Sequence, residues 1–202
     1  MRTGVLGGTF DPPHLAHLVL AASARQALDL DRVLFIPAGE PWRKAERDVA
    51  PAEARLRMVE ATVADVPWAA VSTVEIERSG PTYTCETLEQ LAAGEGGEWW
   101  LLLGEDVLHD MPHWHEPARI LAVARLAVAR RRGESQSVGE VAPPALRALL
   151  PGVEERIDIV PMPLLEISST ALRERVREGG STEFLLPAAV RAVIDELGLY
   201  RG

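Results

Sequence analysis

The chain has 202 residues, 47% hydrophobic and 25% charged, which is ordinary globular composition and enough for one domain with a proper core. Its formal net charge of −9 argues against a nucleic-acid-binding or polybasic membrane surface, while leaving room for a small basic pocket facing a phosphorylated ligand. The single cysteine, Cys85, excludes an internal disulfide, and no apolar stretch approaches the roughly 20 residues of a membrane span. With no signal-peptide shape at Met1-Arg2-Thr3, the expectation is a soluble cytoplasmic protein.

Along the chain, short β-type runs alternate with helical ones. Gly4–Leu6, Arg32–Pro37, Ala69–Ile76, Trp99–Leu103, Arg125–Ala129 and Ile157–Val160 read as strands, mostly continuously apolar, as in a parallel sheet covered on both faces. Between them, Leu15, Leu18, Val19 and Ala22 keep the i, i+3, i+4, i+7 spacing of an amphipathic helix. Further helices are expected over Glu53–Val63, Thr84–Ala93, Glu116–Ala122, Ala145–Leu149, Thr170–Arg177 and Ala188–Leu197, the last capped by Gly198. There is no internal repeat. The loop-like stretch Arg132–Pro144 is too short to separate domains, so a single domain spans 1–202. The alternation implies an α/β fold: a doubly wound, mostly parallel sheet with helices on both faces and a helical end. Ligands then belong at the carboxyl ends of the strands.

The loop after the first strand carries the strongest signal, GGTFDPPHLAH from Gly7 to His17. Gly7-Gly8 can allow positive φ and close approach of the backbone to a ligand. Thr9 and Asp11 can hydrogen-bond locally, and Pro12-Pro13 favours a helix start. The helix that follows would present free N–H groups and its positive dipole end to an anion. His14 and His17, three apart, share a face of the first turn and can donate to phosphate oxygens. The glycines fit neither the dinucleotide-binding fingerprint nor the P-loop.

Other strand-end loops add candidates. After the second strand comes Lys44, one lysine against 20 arginines, a compact ammonium that a site can use as a point charge. After the third, GPTYTCETL (Gly80 to Leu88) turns the chain, and Thr84 or a neighbour can cap the next helix. Cys85 within it has an apolar context without a nearby base, which argues against a nucleophile. LLLGED ends the fourth strand with Gly104 and Asp106 at the ligand edge. His109, His113 and His115 lack clear metal-ligand spacing, while Trp114 among them can stack on a flat ring. Arg130, Arg131 and Arg132 end the fifth strand, either as a solvated basic edge or as a phosphate contact. ISSTALR follows the last strand: a Ser or Thr N-cap with no acid in the first turn, and Arg173 on the same face as Ser169 and Thr170.

The first motif resembles the GGTFDPxHxGH signature of nucleotidyltransferases, specifically bacterial nicotinate mononucleotide adenylyltransferases. The resemblance continues through GEPWRK, GPTYTCETL, LLLGED, Trp114, ISSTALR and the closing Gly198-Leu199-Tyr200. Ala16 stands where the family has glycine, Glu105 replaces a small residue, and Trp42-Arg43 replaces the Pro-His of many members. The resemblance implies a Rossmann-like nucleotidyltransferase fold. It also implies transfer of the adenylyl group of ATP to nicotinate mononucleotide, giving deamido-NAD and pyrophosphate by direct in-line attack, with Mg²⁺ bound through the ATP phosphates rather than by a protein metal site.

By the same resemblance, His14, His17, Lys44 and Arg173 are catalytic. The ATP site is implied at Gly7, Gly8, Thr9, Phe10, His14, His17, Gly104, Asp106, Ile167, Ser168, Ser169, Thr170 and Arg173. The mononucleotide site is implied at Thr9, Lys44, Tyr83, Thr84, Trp114 and Arg130. Partners are the two substrates, with neither nucleic acid nor membrane; a homo-oligomer is compatible with the sequence. The alternatives are an adenylyltransferase for nicotinamide mononucleotide or pantetheine phosphate, and a non-catalytic nucleotide sensor.

Overall fold

Each apolar run of the sequence seeds a strand: β1 Arg2–Gly8, β2 Arg32–Pro37, β3 Ala69–Val71, β4 Glu98–Gly104, β5 Ala124–Arg131 and β6 Ile157–Met162. These come from a computed structural model that describes residues 1–39, 49–131, 137–163 and 165–201. The strands form one sheet in the order β3-β2-β1-β4-β5-β6, the winding pattern of a doubly wound α/β fold. The registers of β1 on β4, β4 on β5 and β5 on β6 are all parallel. The helices are α1 Leu15–Ala27, α2 Ala52–Val63, α3 Thr84–Gly94, α4 Glu105–Asp110, α5 Pro117–Val123, α6 Val138–Val141, α7 Pro144–Leu149, α8 Ser169–Arg177 and α9 Ala188–Leu197. None is long and apolar enough to cross a membrane.

Two boundaries differ from the sequence expectation in ways that matter. β1 runs on through both glycines to Gly8, and neither of them has positive φ. The left-handed residue is Phe10, at φ 50°, so the turn follows the glycines instead of using them. β3 stops at Val71 instead of Ile76. There the Thr73 hydroxyl donates to Glu77 Oε1 at 2.5 Å and the Glu77 N–H donates to the Thr73 carbonyl at 2.9 Å. A local side-chain turn thus replaces the ladder.

The chain packs as two compact units, each from three stretches: Met1–Leu6, Leu20–Val33 and Tyr83–Leu164 in one, Gly7–Val19, Leu34–Thr82 and Leu165–Gly202 in the other. The first unit is built on β4 and β5, whose Leu101, Leu102, Leu103, Leu126 and Val128 are buried. Gly4 of β1 lies so close to Leu30, Leu102 and Val33 that an added Cβ would stand 2.8 Å from the first of these. The second unit has its own core where α2, α8 and α9 meet. Met58, Leu172, Leu186, Val190, Val193 and Ile194 are buried there, with Leu199 and Tyr200 packed against them. Burial of each such side chain stabilises by about 1.5–3 kcal/mol. Gly198, at φ 62°, ends α9 as the sequence predicts and turns the last residues back onto this core.

Candidate active site

Within the second unit, the residues after β1 are shaped by Phe10. Its positive φ buries the ring, which meets the edge of the His17 imidazole with centroids 4.9 Å apart and lies 6.0 Å from Phe35. An added Cβ on Gly8 would come within 3.3 Å of the same ring. Phe10 therefore supports His17 from beneath, and its side chain is committed to packing.

His14 ends this loop one residue before α1, so the two imidazoles do not sit within one helical turn as expected. They are nonetheless neighbours, with ring centroids 3.9 Å apart. The main-chain N–H of His14 donates to Nδ1 of His17 at 3.1 Å. An accepting Nδ1 carries no proton, so the neutral ring holds its proton on Nε2 and can donate from that side. His14 is itself buried, 6% exposed, and desolvation lowers its pKa to about 4. It is neutral at pH 7, and its Nδ1 is buried without a hydrogen-bond partner among the described residues. The first N–H of α1, at Leu15, is already taken by the Leu185 carbonyl, so the helix offers fewer open donors than its sequence suggests.

The ISST segment starts α8. Ser168 is the N-cap, its hydroxyl accepting from the Ala171 N–H at 3.2 Å. Ser169 donates its hydroxyl to the Pro12 carbonyl at 2.9 Å, and Arg173 Nη1 donates to the Asp11 carbonyl at 2.7 Å. Thr170 Oγ1 lies 3.4 Å from Arg173 Nη2, and Ile167 packs against the helical core. Both serine hydroxyls, expected to meet a ligand, are instead engaged within the protein, and they stitch α8 to the loop after β1. Of the other residues expected to meet phosphate from this segment, Arg173 is anchored on the Asp11 carbonyl and lies against Thr170.

Arg55, unmarked by the sequence, and Asp11, expected there only to hydrogen-bond locally, hold this loop in place. Arg55 of α2, 2% exposed, donates to three main-chain carbonyls: Nε to Ala50, Nη1 to Thr9 and Nη2 to Gly39, each at 3.0 Å. Gly39 is obligatory, because a Cβ there would collide with the main-chain oxygen of Glu75. Asp11, also buried, accepts the Tyr200 hydroxyl on Oδ1 at 2.6 Å. The available signal was an arginine on the buried stripe of α2, beside Ala54, Met58 and Val59.

Of the residues expected to read the acceptor, Tyr83, Thr84, Trp114 and Arg130 belong to the first unit and Thr9 to the second. Tyr83, the neighbour of Thr84, is the N-cap of α3 and makes no side-chain cap hydrogen bond. That helix start is therefore uncapped by side chain. The Tyr83 ring stacks on His115, centroids 4.1 Å apart and planes 30° apart, a pairing not expected from sequence. Half-buried Trp114 directs its indole N–H at Asp110 Oδ2, 3.4 Å away. Gly104 caps α4, and Asp106 is exposed in that helix's first turn rather than in a loop. Arg130 lies within β5, its side chain 13% exposed and 3.8 Å from the Glu105 carboxylate. Cys85 is buried and desolvation pushes its thiol up, which suits packing rather than attack. Lys44, Trp42, Arg43 and Arg132 lie outside the described residues.

The cytidylyltransferase-like family model matches residues 5–175. The chain belongs to that family. A Roseiflexus sp. protein named "Probable nicotinate-nucleotide adenylyltransferase" is 47% identical over 199 residues, covering 98% of this chain and 97% of its own. A Dehalococcoides mccartyi protein of the same name is 43% identical over 204 residues, covering 99% and 97%. Among solved structures, the Plasmodium falciparum nicotinic acid mononucleotide adenylyltransferase complexed with NaAD shares the fold with a TM-score of 0.74. It is 15% identical, with 98% of this chain and 97% of that one covered.

Proposed function

We propose that this family member transfers the adenylyl group of ATP to nicotinate mononucleotide, releasing pyrophosphate. The naming of its full-length relatives and the fold of its neighbours support this reading. The observation that carries the chemistry is the His14 N–H bond to His17 Nδ1. It makes His17 Nε2 a donor fixed in direction, which a transferring phosphoryl group requires.

A phosphate oxygen of the mononucleotide attacks the α-phosphorus in line. One P–O bond forms as the bond to the bridging oxygen breaks, and the electron pair leaves with pyrophosphate. No proton has to move, so catalysis is positioning and charge stabilisation. His17 Nε2–H and neutral His14 donate to the α-phosphate, while Arg173, Thr170 and the N–H groups at the start of α8 hold the phosphates beyond it. Lys44 belongs to the same phosphate set. The donor chemistry of these residues is imidazole, hydroxyl and guanidinium, suited to phosphate oxygens rather than to a hard cation. Mg²⁺ therefore enters with ATP, on its phosphates.

In the acceptor site, the main-chain N–H groups of Tyr83 and Thr84 at the uncapped start of α3 receive the nicotinate carboxylate, with Trp114 against the ring and Arg130 near the phosphate. An amide in the carboxylate's place would turn its NH₂ towards donors. The test is pyrophosphate release from ATP and Mg²⁺ with nicotinate mononucleotide, nicotinamide mononucleotide and pantetheine phosphate supplied in turn. Release with the first, and little with the others, is the expected result.

A further inference from the structure

We propose that Tyr200, near the carboxyl terminus, is a positioning residue for adenylyl transfer: it holds the Asp11 carboxylate so that Arg173 stays directed at phosphate. The inference rests on the reading of Arg173 given above. All three residues belong to the second unit.

The Asp11 carboxylate is 3% exposed, and its two oxygens have different surroundings. Oδ1 accepts the Tyr200 hydroxyl at 2.6 Å and, more weakly, the Ala50 N–H at 3.4 Å. Oδ2 is buried without a hydrogen bond among the described residues and lies 3.7 Å from Arg173 Nη1. The same Nη1 donates to the Asp11 main-chain carbonyl at 2.7 Å. Arg173 is therefore held by one nitrogen on the carbonyl, with the carboxylate close by but short of a bonded pair. That is an unusual compromise. A buried carboxylate beside a guanidinium ordinarily closes to a bidentate contact of 2.7–2.9 Å.

The Tyr200 hydroxyl accounts for the compromise. Its short, charge-assisted bond fixes the carboxylate plane and draws charge to Oδ1. Burial and the Asp11 carboxylate push the phenol pKa well above its ordinary value, so the group remains a donor at every pH of interest. Arg55, the other cation near Asp11 among the described residues, is committed to three main-chain carbonyls and cannot take over. The chain reaches this position through Gly198 and through Tyr200's own left-handed φ of 64°. Without the hydroxyl, Oδ1 would keep, among the described residues, only the long Ala50 contact. The carboxylate could then rotate onto Arg173 and compete with phosphate for the guanidinium.

The test is Tyr200→Phe, which keeps the ring packed on the helical core and removes one oxygen. The KM for ATP should rise about 10-fold, with the KM for nicotinate mononucleotide within about twofold of wild type. In an Arg173→Ala background the same substitution should change the ATP KM less than about twofold, because there is no guanidinium left to misplace. An unchanged ATP KM, an equal rise for both substrates, or full additivity with Arg173→Ala would each overturn the proposal. Calorimetric ATP binding by wild type and Tyr200→Phe separates this from the functional reading. If wild type makes no dinucleotide, that reading fails, whereas equal ATP affinity of the two proteins sinks the role of Tyr200 alone.

Discussion

The His14 main-chain N–H points at Nδ1 of His17, 3.1 Å away, and the two rings lie with centroids 3.9 Å apart. The backbone thereby chooses the tautomer of the second imidazole. His17→Ala removes both the fixed donor and the acceptor for that N–H. Its kcat should fall by about 10²-fold or more, the usual cost of losing a donor to transition-state charge. Tm should fall by only a few degrees, the cost of leaving the His14 N–H without its acceptor. Single-turnover rates at saturating substrates check this, and near-normal rates in the folded variant would remove His17 from the mechanism.

His14 gives a stability prediction with a definite sign. Its folded pKa is about 4 against an ordinary 6.5, so between those values the unfolded chain binds a proton that the folded one refuses. Stability therefore falls as pH drops from about 6.5 towards 4 and is insensitive to this group above 7. From pH 7 to pH 5 the loss amounts to about 2 kcal/mol. Urea denaturation of wild type and His14→Asn at both pH values reads it: the variant should lose about that much less. Parallel losses would mean that His14 is not buried as a neutral ring.

The parts legible in sequence were those whose signal is local. The glycines and the histidine pair lie within a few residues of one another, the ISST helix start is itself a contiguous run, and the apolar runs located every strand. Asp11 and Tyr200 are 189 positions apart, and Arg55 reaches Thr9 across 46; no periodicity marks such pairs. Even local chemistry misled where a tertiary partner intervened. The Ser169 hydroxyl reads as a phosphate ligand until the Pro12 carbonyl is found to accept from it. The glycines of β1 read as turn residues, yet Phe10 makes the turn.

Arg55 supplies a test of how the loop is held. Lysine preserves the charge but cannot reach carbonyls of Ala50, Thr9 and Gly39 together. At about 1–3 kcal/mol for each buried carbonyl left unmet, Arg55→Lys should lower Tm by roughly 10 °C in a chain of this size. A thermal melt within a degree or two of wild type would show that the three bonds contribute little.

Acceptor recognition should separate from ATP binding. Stacking a flat base on an aromatic side chain is worth about 1–3 kcal/mol, so Trp114→Ala should raise the KM for nicotinate mononucleotide about 10-fold or more. The ATP KM should stay within about twofold. If the backbone donors at the start of α3 read the carboxylate as proposed, wild type should prefer the nicotinate substrate by about 10²-fold in kcat/KM. Equal use of acid and amide would overturn the assignment of Tyr83 and Thr84 while leaving adenylyl transfer intact.

The central claim is that the α-phosphate of ATP passes directly to the mononucleotide. ATP labelled at that phosphorus, incubated with Mg²⁺, nicotinate mononucleotide and the protein, follows it most directly. The account predicts labelled nicotinate adenine dinucleotide formed one-for-one with unlabelled pyrophosphate. Label that stays in ATP, or that leaves as AMP with no dinucleotide formed, would contradict it.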